Sequence, residues 1–251
     1  ELDGFLGGDR THIKLPESQE KLLKKLHATG KPVVMVNFSG SAMALNWEDE
    51  NLPAIVQAFY PGEQAGKAIA ELLWGDFSPS GRLPVTFYKS VDDLPDFLDY
   101  SMANRTYKYF EGEPLYAFGH GLSYTDFTYG GLSVPDTHDA SEPLTVSATV
   151  TNSGDMAGKE VVQAYIQHQD RAHEGVPRIE LVAFDVVELA PGEIAEIQFD
   201  LSPDRIGYYD TDGNPVTPEG STAILSIGAG QPGFVSDEDA LTAEVAFTSA
   251  E

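Results

Sequence analysis

The chain has 251 residues, 41% hydrophobic and 22% charged, with 15 basic against 40 acidic side chains and a formal net charge of −25. The length suits one large domain or two ordinary ones, and the apolar share supplies packed cores, which excludes global disorder. The negative surplus argues against nucleic acid and anionic membrane surfaces as partners, since few cations are present to neutralise phosphates, and the favoured reading of the acidity is a solubility surface rather than a salt habitat.

Residues 1–90 alternate between helix and strand. Pro16 followed by Glu17, Ser18, Gln19 and Glu20 is a helix opening, with proline early and acids in the first turn. Leu22, Leu23 and Leu26 give one apolar stripe, and Gly30 is placed as the C-cap. Residues 33–38 form a continuous apolar run of the buried parallel-strand type, and residues 54–59 repeat it. After Pro61 and Gly62, Ala65, Ala68, Ile69, Leu72 and Leu73 fall at helical spacing, with Gly75 as the stop and Gly66 read as a close-packing position. The expectation is a partial α/β layer: a mostly parallel sheet with flanking helices, short of the strands an independent domain needs.

Residues 91–126 break the rhythm. Acidic residues at 92, 93, 96 and 99 precede an aromatic-rich stretch from Tyr100 to Tyr124, read as a long ordered connecting loop because so many rings would not stay solvated. From residue 127 to 251 the period becomes two. Strands are expected over 144–151, 160–168, 180–189, 194–201, 221–227 and 241–247, with turns at 152–155, 191–192 and 212–214. About seven short strands over ~120 residues is the pattern of an immunoglobulin or fibronectin type III-like β-sandwich. With no cysteine in the chain, an antibody-type framework is excluded, as are disulfides and thiolate metal sites.

Three segments carry a family resemblance. The first is Gly8-Asp9-Arg10-Thr11 leading to Leu15-Pro16. The second runs from Tyr60-Pro61-Gly62-Glu63 to Gly75-Asp76 and on through Pro79-Ser80-Gly81-Arg82-Leu83-Pro84-Val85-Thr86-Phe87. The third is Arg105-Thr106-Tyr107-Lys108-Tyr109-Phe110, then Pro114-Leu115-Tyr116 and Phe118-Gly119-His120-Gly121-Leu122-Ser123-Tyr124-Thr125. In this order they resemble the second half of the α/β-sandwich domain of family 3 glycoside hydrolases, and the tail resembles the fibronectin type III-like domain of many members. The third segment is more similar to the branch with β-xylosidases and broad β-glucosidases.

The resemblance implies an exo-acting β-glycosidase that removes terminal glucose or xylose with retention, using two carboxyl groups ~5–5.5 Å apart. It implies a nucleophilic aspartate on an N-terminal (β/α)₈ barrel of roughly 250 residues, which no segment here could replace. That barrel and a β-glycoside substrate are thus the implied partners. No cofactor or metal is called for, homo-oligomerisation is left open, and a secreted or periplasmic setting is favoured. The acid/base of the family is a glutamate shortly before the Gly-Asp-Arg segment, which leaves Glu1 as the candidate catalytic residue here. The alternative is that Glu1 is an ordinary exposed acid and the true acid/base lies upstream. An opening on Glu-Leu-Asp-Gly-Phe reads as a fragment, a processed product or a truncated form. The rival for the whole chain is a stand-alone structural or carbohydrate-binding module.

Other residues invite weaker assignments. Asp9 and Arg10 suit an ion pair fixing a turn better than an active-site rim. Asn37, Ser39, Gly40 and Ser41 follow a parallel strand, where open sheets place ligand loops. Arg105, Tyr107, Tyr109 and Phe110 could line a sugar, but gluing the sandwich to the α/β layer is favoured. Six histidines, at 12, 27, 120, 138, 168 and 173, show no metal-ligand spacing. Residues 210–214 resemble part of a calcium loop but read better as a hairpin turn.

Overall fold

The protein's structure, a computed structural model, describes residues 5–6, 9–169, 176–210 and 212–249. The chain opens with a short antiparallel pair, β1 (Phe5–Leu6) and β2 (Asp9–Arg10), and enters helix α1 (Glu17–His27) behind Pro16. Acids in the first turn and Lys24, Lys25 and His27 in the last turn both suit the helix dipole. The helix stops before Gly30: Ala28 is the cap, and Gly30, at φ 74°, closes the turn that follows. Strand β3 (Val34–Asn37), helix α2 (Asn46–Asn51), strand β4 (Ala54–Gln57) and helix α3 (Ala65–Trp74) complete the layer. β3 and β4 pair in parallel, Val34 opposite Ala54 through Asn37 opposite Gln57, and Gly75 ends α3.

This layer is thin. Its buried cluster is Leu15, Met35, Met43, Leu45 and Leu52, and no residue of α1 or α3 is fully buried. The two-stranded sheet is too small to cover both helices, so their apolar stripes remain partly open. Gly66 does not serve close packing. It faces open space, since a β-carbon there would meet no atom within 4 Å.

The chain then crosses a 3₁₀ turn at Val91–Asp93 and the one-turn helix α4 (Thr106–Tyr109). The sandwich follows: β5 (Phe127–Ser133), β6 (Thr137–Asp139), β7 (Leu144–Asn152), β8 (Gly158–His168), β9 (Glu180–Leu189) and β10 (Ile194–Leu201). Helix α5 (Pro203–Ile206), β11 (Tyr208–Tyr209), β12 (Pro215–Val216), β13 (Thr222–Gly228) and β14 (Ala240–Thr248) close it. One sheet has the order β10-β7-β5 and the other β6-β14-β13-β8-β9. Alternation builds the core. Leu144, Val146, Ala148 and Val150 of β7 face Val162, Ala164 and Ile166 of β8, Leu225 and Ile227 of β13, and Val245 and Phe247 of β14. On β8 the outward Gln163 and Tyr165 are also buried, because the connecting segment lies across them. Strands β11 and β12 pair antiparallel, and between them Asp210 accepts a hydrogen bond from the Asn214 amide at 2.8 Å.

Candidate functional site

In an open parallel sheet, ladder partners run out at the carboxyl ends of the strands, and loops there can turn backbone and side-chain donors toward a ligand. Here the two strand ends are tied by side-chain amides. Asn37, buried at the end of β3, donates through Nδ2 to Gln57 Oε1 at 2.6 Å, and Gln57 donates to the Ser39 carbonyl at 3.3 Å. The chain then turns through Ser39-Gly40-Ser41, with the Ser39 hydroxyl donating to the Ser41 carbonyl. Arg10 arrives from β2, donates to Ser41 Oγ, and places Nη1 3.1 Å from Met43 Sδ. Arg10 and the serine loop, separate in sequence, therefore form one rim.

The other wall of the rim is aromatic. Phe59 takes the left-handed region at φ 50°, unusual for a bulky residue, and directs the chain so that the Tyr60 ring covers Gly40. A β-carbon at Gly40 would lie 2.5 Å from Tyr60 Cε2, so any other residue there would push the ring aside. Phe38 and Tyr60 remain 54% and 80% exposed. A guanidinium, hydroxyls and exposed rings can orient a hydroxyl-rich ligand; they do not supply the pair of carboxyl groups that retaining glycoside cleavage uses. Glu1, the residue assigned that chemistry from sequence, lies outside the described residues.

Sequence reading passed over helix α2. Glu48 is buried, its Oε1 meets no hydrogen-bond donor among the described residues, and burial raises its carboxyl above the usual range, with Glu20 adding and Lys24 opposing. It faces α1. Next to it, Asp49 accepts a 2.5 Å hydrogen bond from the Tyr116 hydroxyl, and Tyr116 stacks on His120. Burial lowers the His120 imidazole below its ordinary value, with Arg82 pushing the same way. These contacts anchor the connecting segment to the α/β layer.

The aromatic stretch turns toward the sandwich, in keeping with the favoured reading of it as glue between the layers and not as a sugar wall. Tyr107 stacks on Phe118 with centroids 4.0 Å apart, meets Tyr165 edge-on, and accepts a hydrogen bond from the Leu181 amide at 3.0 Å. Lys108 pairs with Glu180, the Arg178 amide donates to the Lys108 carbonyl at 2.7 Å, and the Arg178 guanidinium donates to the Phe110 carbonyl. Phe110 is buried edge-on against Tyr88. Arg82 reaches from the α/β side to Glu160 at 2.7 Å, and Tyr129 donates to the other carboxylate oxygen at 2.8 Å. Gly119, at φ 78°, passes so close to Gln163 that a β-carbon would sit 2.2 Å from its Oε1. Among the described residues no three His, Cys, Asp or Glu side chains form a group that could hold a metal ion.

The comparison with known proteins follows this division. Residues 3–124 match the pattern of the glycosyl hydrolase family 3 C-terminal domain, and residues 160–230 match that of the fibronectin type III-like domain. The chain belongs to the C-terminal region of glycosyl hydrolase family 3. A xylan 1,4-beta-xylosidase of Xylanibacter ruminicola is 44% identical over 226 residues, 89% of this chain and 26% of the relative. A periplasmic beta-glucosidase of Salmonella typhimurium is 36% identical over 80% of this chain and 28% of its own length. Among solved structures, a β-glucosidase of Erythrobacter marinus superposes with a TM-score of 0.82 at 36% identity, covering 98% of this chain and 32% of that one. This family 3 chain thus spans roughly a quarter to a third of the proteins it resembles.

Proposed function

We propose that this chain is the C-terminal portion of an exo-acting, retaining β-glycosidase that releases terminal non-reducing β-linked glucose or xylose. It acts with a (β/α)₈ barrel carried on the rest of the polypeptide. The observation that supports the reading most directly is the thin α/β layer, with a two-stranded sheet and two helices lacking any fully buried residue, in a chain whose relatives are glycosidases about three to four times longer. The domain reading goes with it: 1–90 as half of an α/β-sandwich domain, 91–126 as a connecting loop and 127–251 as the fibronectin type III-like sandwich.

Chemically, one carboxyl group attacks the anomeric carbon from the barrel side while a second protonates the leaving oxygen, then deprotonates the incoming water. Glu1 is proposed for the second role, at the start of the segment that Arg10 ties to the serine loop. A general acid matters most when the leaving group is poor. Glu1→Gln in the longer protein is therefore expected to slow alkyl β-glycosides by about 10²–10⁴-fold, while dinitrophenyl glycosides keep most of their glycosylation rate. Equal rates on both substrate classes in the variant and the parent would place the acid/base elsewhere. Absence of any aryl β-glycosidase activity in the longer protein would overturn the reading as a whole.

A further inference from the structure

The connecting loop has two sides. Its later half turns inward through Tyr107, Phe110 and Phe118, as described above. Its earlier half does the opposite: Phe97, Leu98 and Tyr100 are 87%, 76% and 86% exposed, with Met102 beside them at 46%. Single exposed apolar side chains are ordinary on protein surfaces, but three large ones within four residues form a patch that normally marks an interaction site.

The backbone under this patch is held independently of its rings. Asp96 accepts a hydrogen bond from the Leu98 amide at 2.8 Å, and Asp99 accepts one from the Ser101 amide at 2.8 Å. Arg105 donates through Nε to the Ser101 carbonyl at 3.1 Å and through Nη2 to the carbonyls of Asp96 and Asp99. Asn104 donates to the Asp93 carbonyl at 3.1 Å. Asp96, Asp99, Asn104 and Arg105 thus spend their side chains fixing a lip that presents apolar surface to water. Such a preformed lip loses little conformational entropy when it docks.

We propose that this lip, Phe97, Leu98 and Tyr100, is the docking surface for the part of the same polypeptide that lies outside this chain. The inference rests on the reading of the chain as one portion of a longer glycosidase. The relatives carry roughly three-quarters of their length outside the matched region, so a large covering surface is at hand. A second copy of this chain is the poorer occupant, because it would bring another charge of −25 to an acidic surface.

Hydroxyl-radical labelling of the longer protein, native and urea-unfolded, tests this. Docked rings at Phe97 and Tyr100 are expected to label at least about fivefold more slowly in the native state, since the core of an interface excludes water. Equal native and unfolded rates overturn the proposal. Protection that appears only at high protein concentration, or only with added cellobiose or xylobiose, also overturns it, in favour of a second copy or of a sugar. The double variant Phe97→Ser with Tyr100→Ser should lower the thermal midpoint of the longer protein; an unchanged or raised midpoint counts against docking. Hydrolysis of an aryl β-glycoside by the same sample separates the two ideas. Activity without protection removes the lip proposal alone, and protection without activity removes the glycosidase reading alone.

Discussion

Arg82 and Glu160 carry side chains only 9% and 1% exposed, so each depends on the other for the hydration it has lost. Burial pushes the Glu160 carboxyl upward, while Arg82 and Tyr129 pull it back. Removing one partner strands a buried charge. Arg82→Ala is expected to cost about 3–5 kcal/mol, and the double change Arg82→Met with Glu160→Leu considerably less, measured by urea unfolding. Equal losses in the two variants would show that the pair matters through packing alone. His168 tests a different effect. It is buried against Tyr208, its ring nitrogens meet no partner among the described residues, and burial lowers it from 6.5 to about 4, with Glu180 opposing. The unfolded chain takes up this proton near pH 6.5 and the folded chain only near 4. Stability from the neutral ring is therefore complete above pH 6.5 and is lost as pH falls toward 4, by up to about 3 kcal/mol. His168→Phe should flatten the thermal midpoint over that window; an unchanged slope would mean that another group sets it.

At the scale of elements, the connecting segment is a strap between two layers. Phe118→Ala removes the ring stacked on Tyr107 and is expected to cost about 1.5–3 kcal/mol. In the longer protein it should leave KM for a small aryl glycoside within about twofold, because a ring that touches protein does not bind substrate. A large rise in KM at unchanged thermal stability would put sugar against the strap. The sandwich strands were legible because strict alternation, as in residues 144–151, matches a sheet with one face buried and one wet. The runs before residue 75 were legible by other signals, continuous apolar stretches for the strands and helical spacing for α1 and α3. Helix α2 was not: Asn46 to Asn51 is six mostly polar residues with no stripe, and only the structure shows Glu48 turned inward. The aromatic stretch was half legible. Tyr107 and Phe110 are covered as ring burial predicts, but Tyr100 stays in water, because Arg105 and two aspartates fix that part of the loop through its backbone. The rim partners Arg10 and Ser41 were each flagged, yet 31 residues separate them, and no local pattern encodes their contact.

At the scale of the molecule, two cores of very different size share one chain. The sandwich core joins both sheets through residues from Ala140 to Phe247, whereas among the described residues the α/β cluster holds five buried side chains. Hydrophobic stabilisation follows buried area, and a two-stranded sheet is marginal by itself. Residues 127–251 made alone are therefore expected to unfold cooperatively, while residues 1–90 are not. The cut at 127 also has a cost. Gln163 and Tyr165, both buried, lose the strap that covers them, and Glu160 loses Arg82. A longer piece, 78–251, restores Arg82, Tyr107, Phe118 and Gly119 and should melt several degrees higher than 127–251; about 2–4 °C per kcal/mol is usual at this size. Calorimetry of the three pieces decides the matter. A cooperative transition in residues 1–90 would show that the thin layer is self-sufficient. Equal midpoints for the two sandwich pieces would show that the strap rests on the sheet without stabilising it, and the buried pair would then serve only to fix how the layers meet.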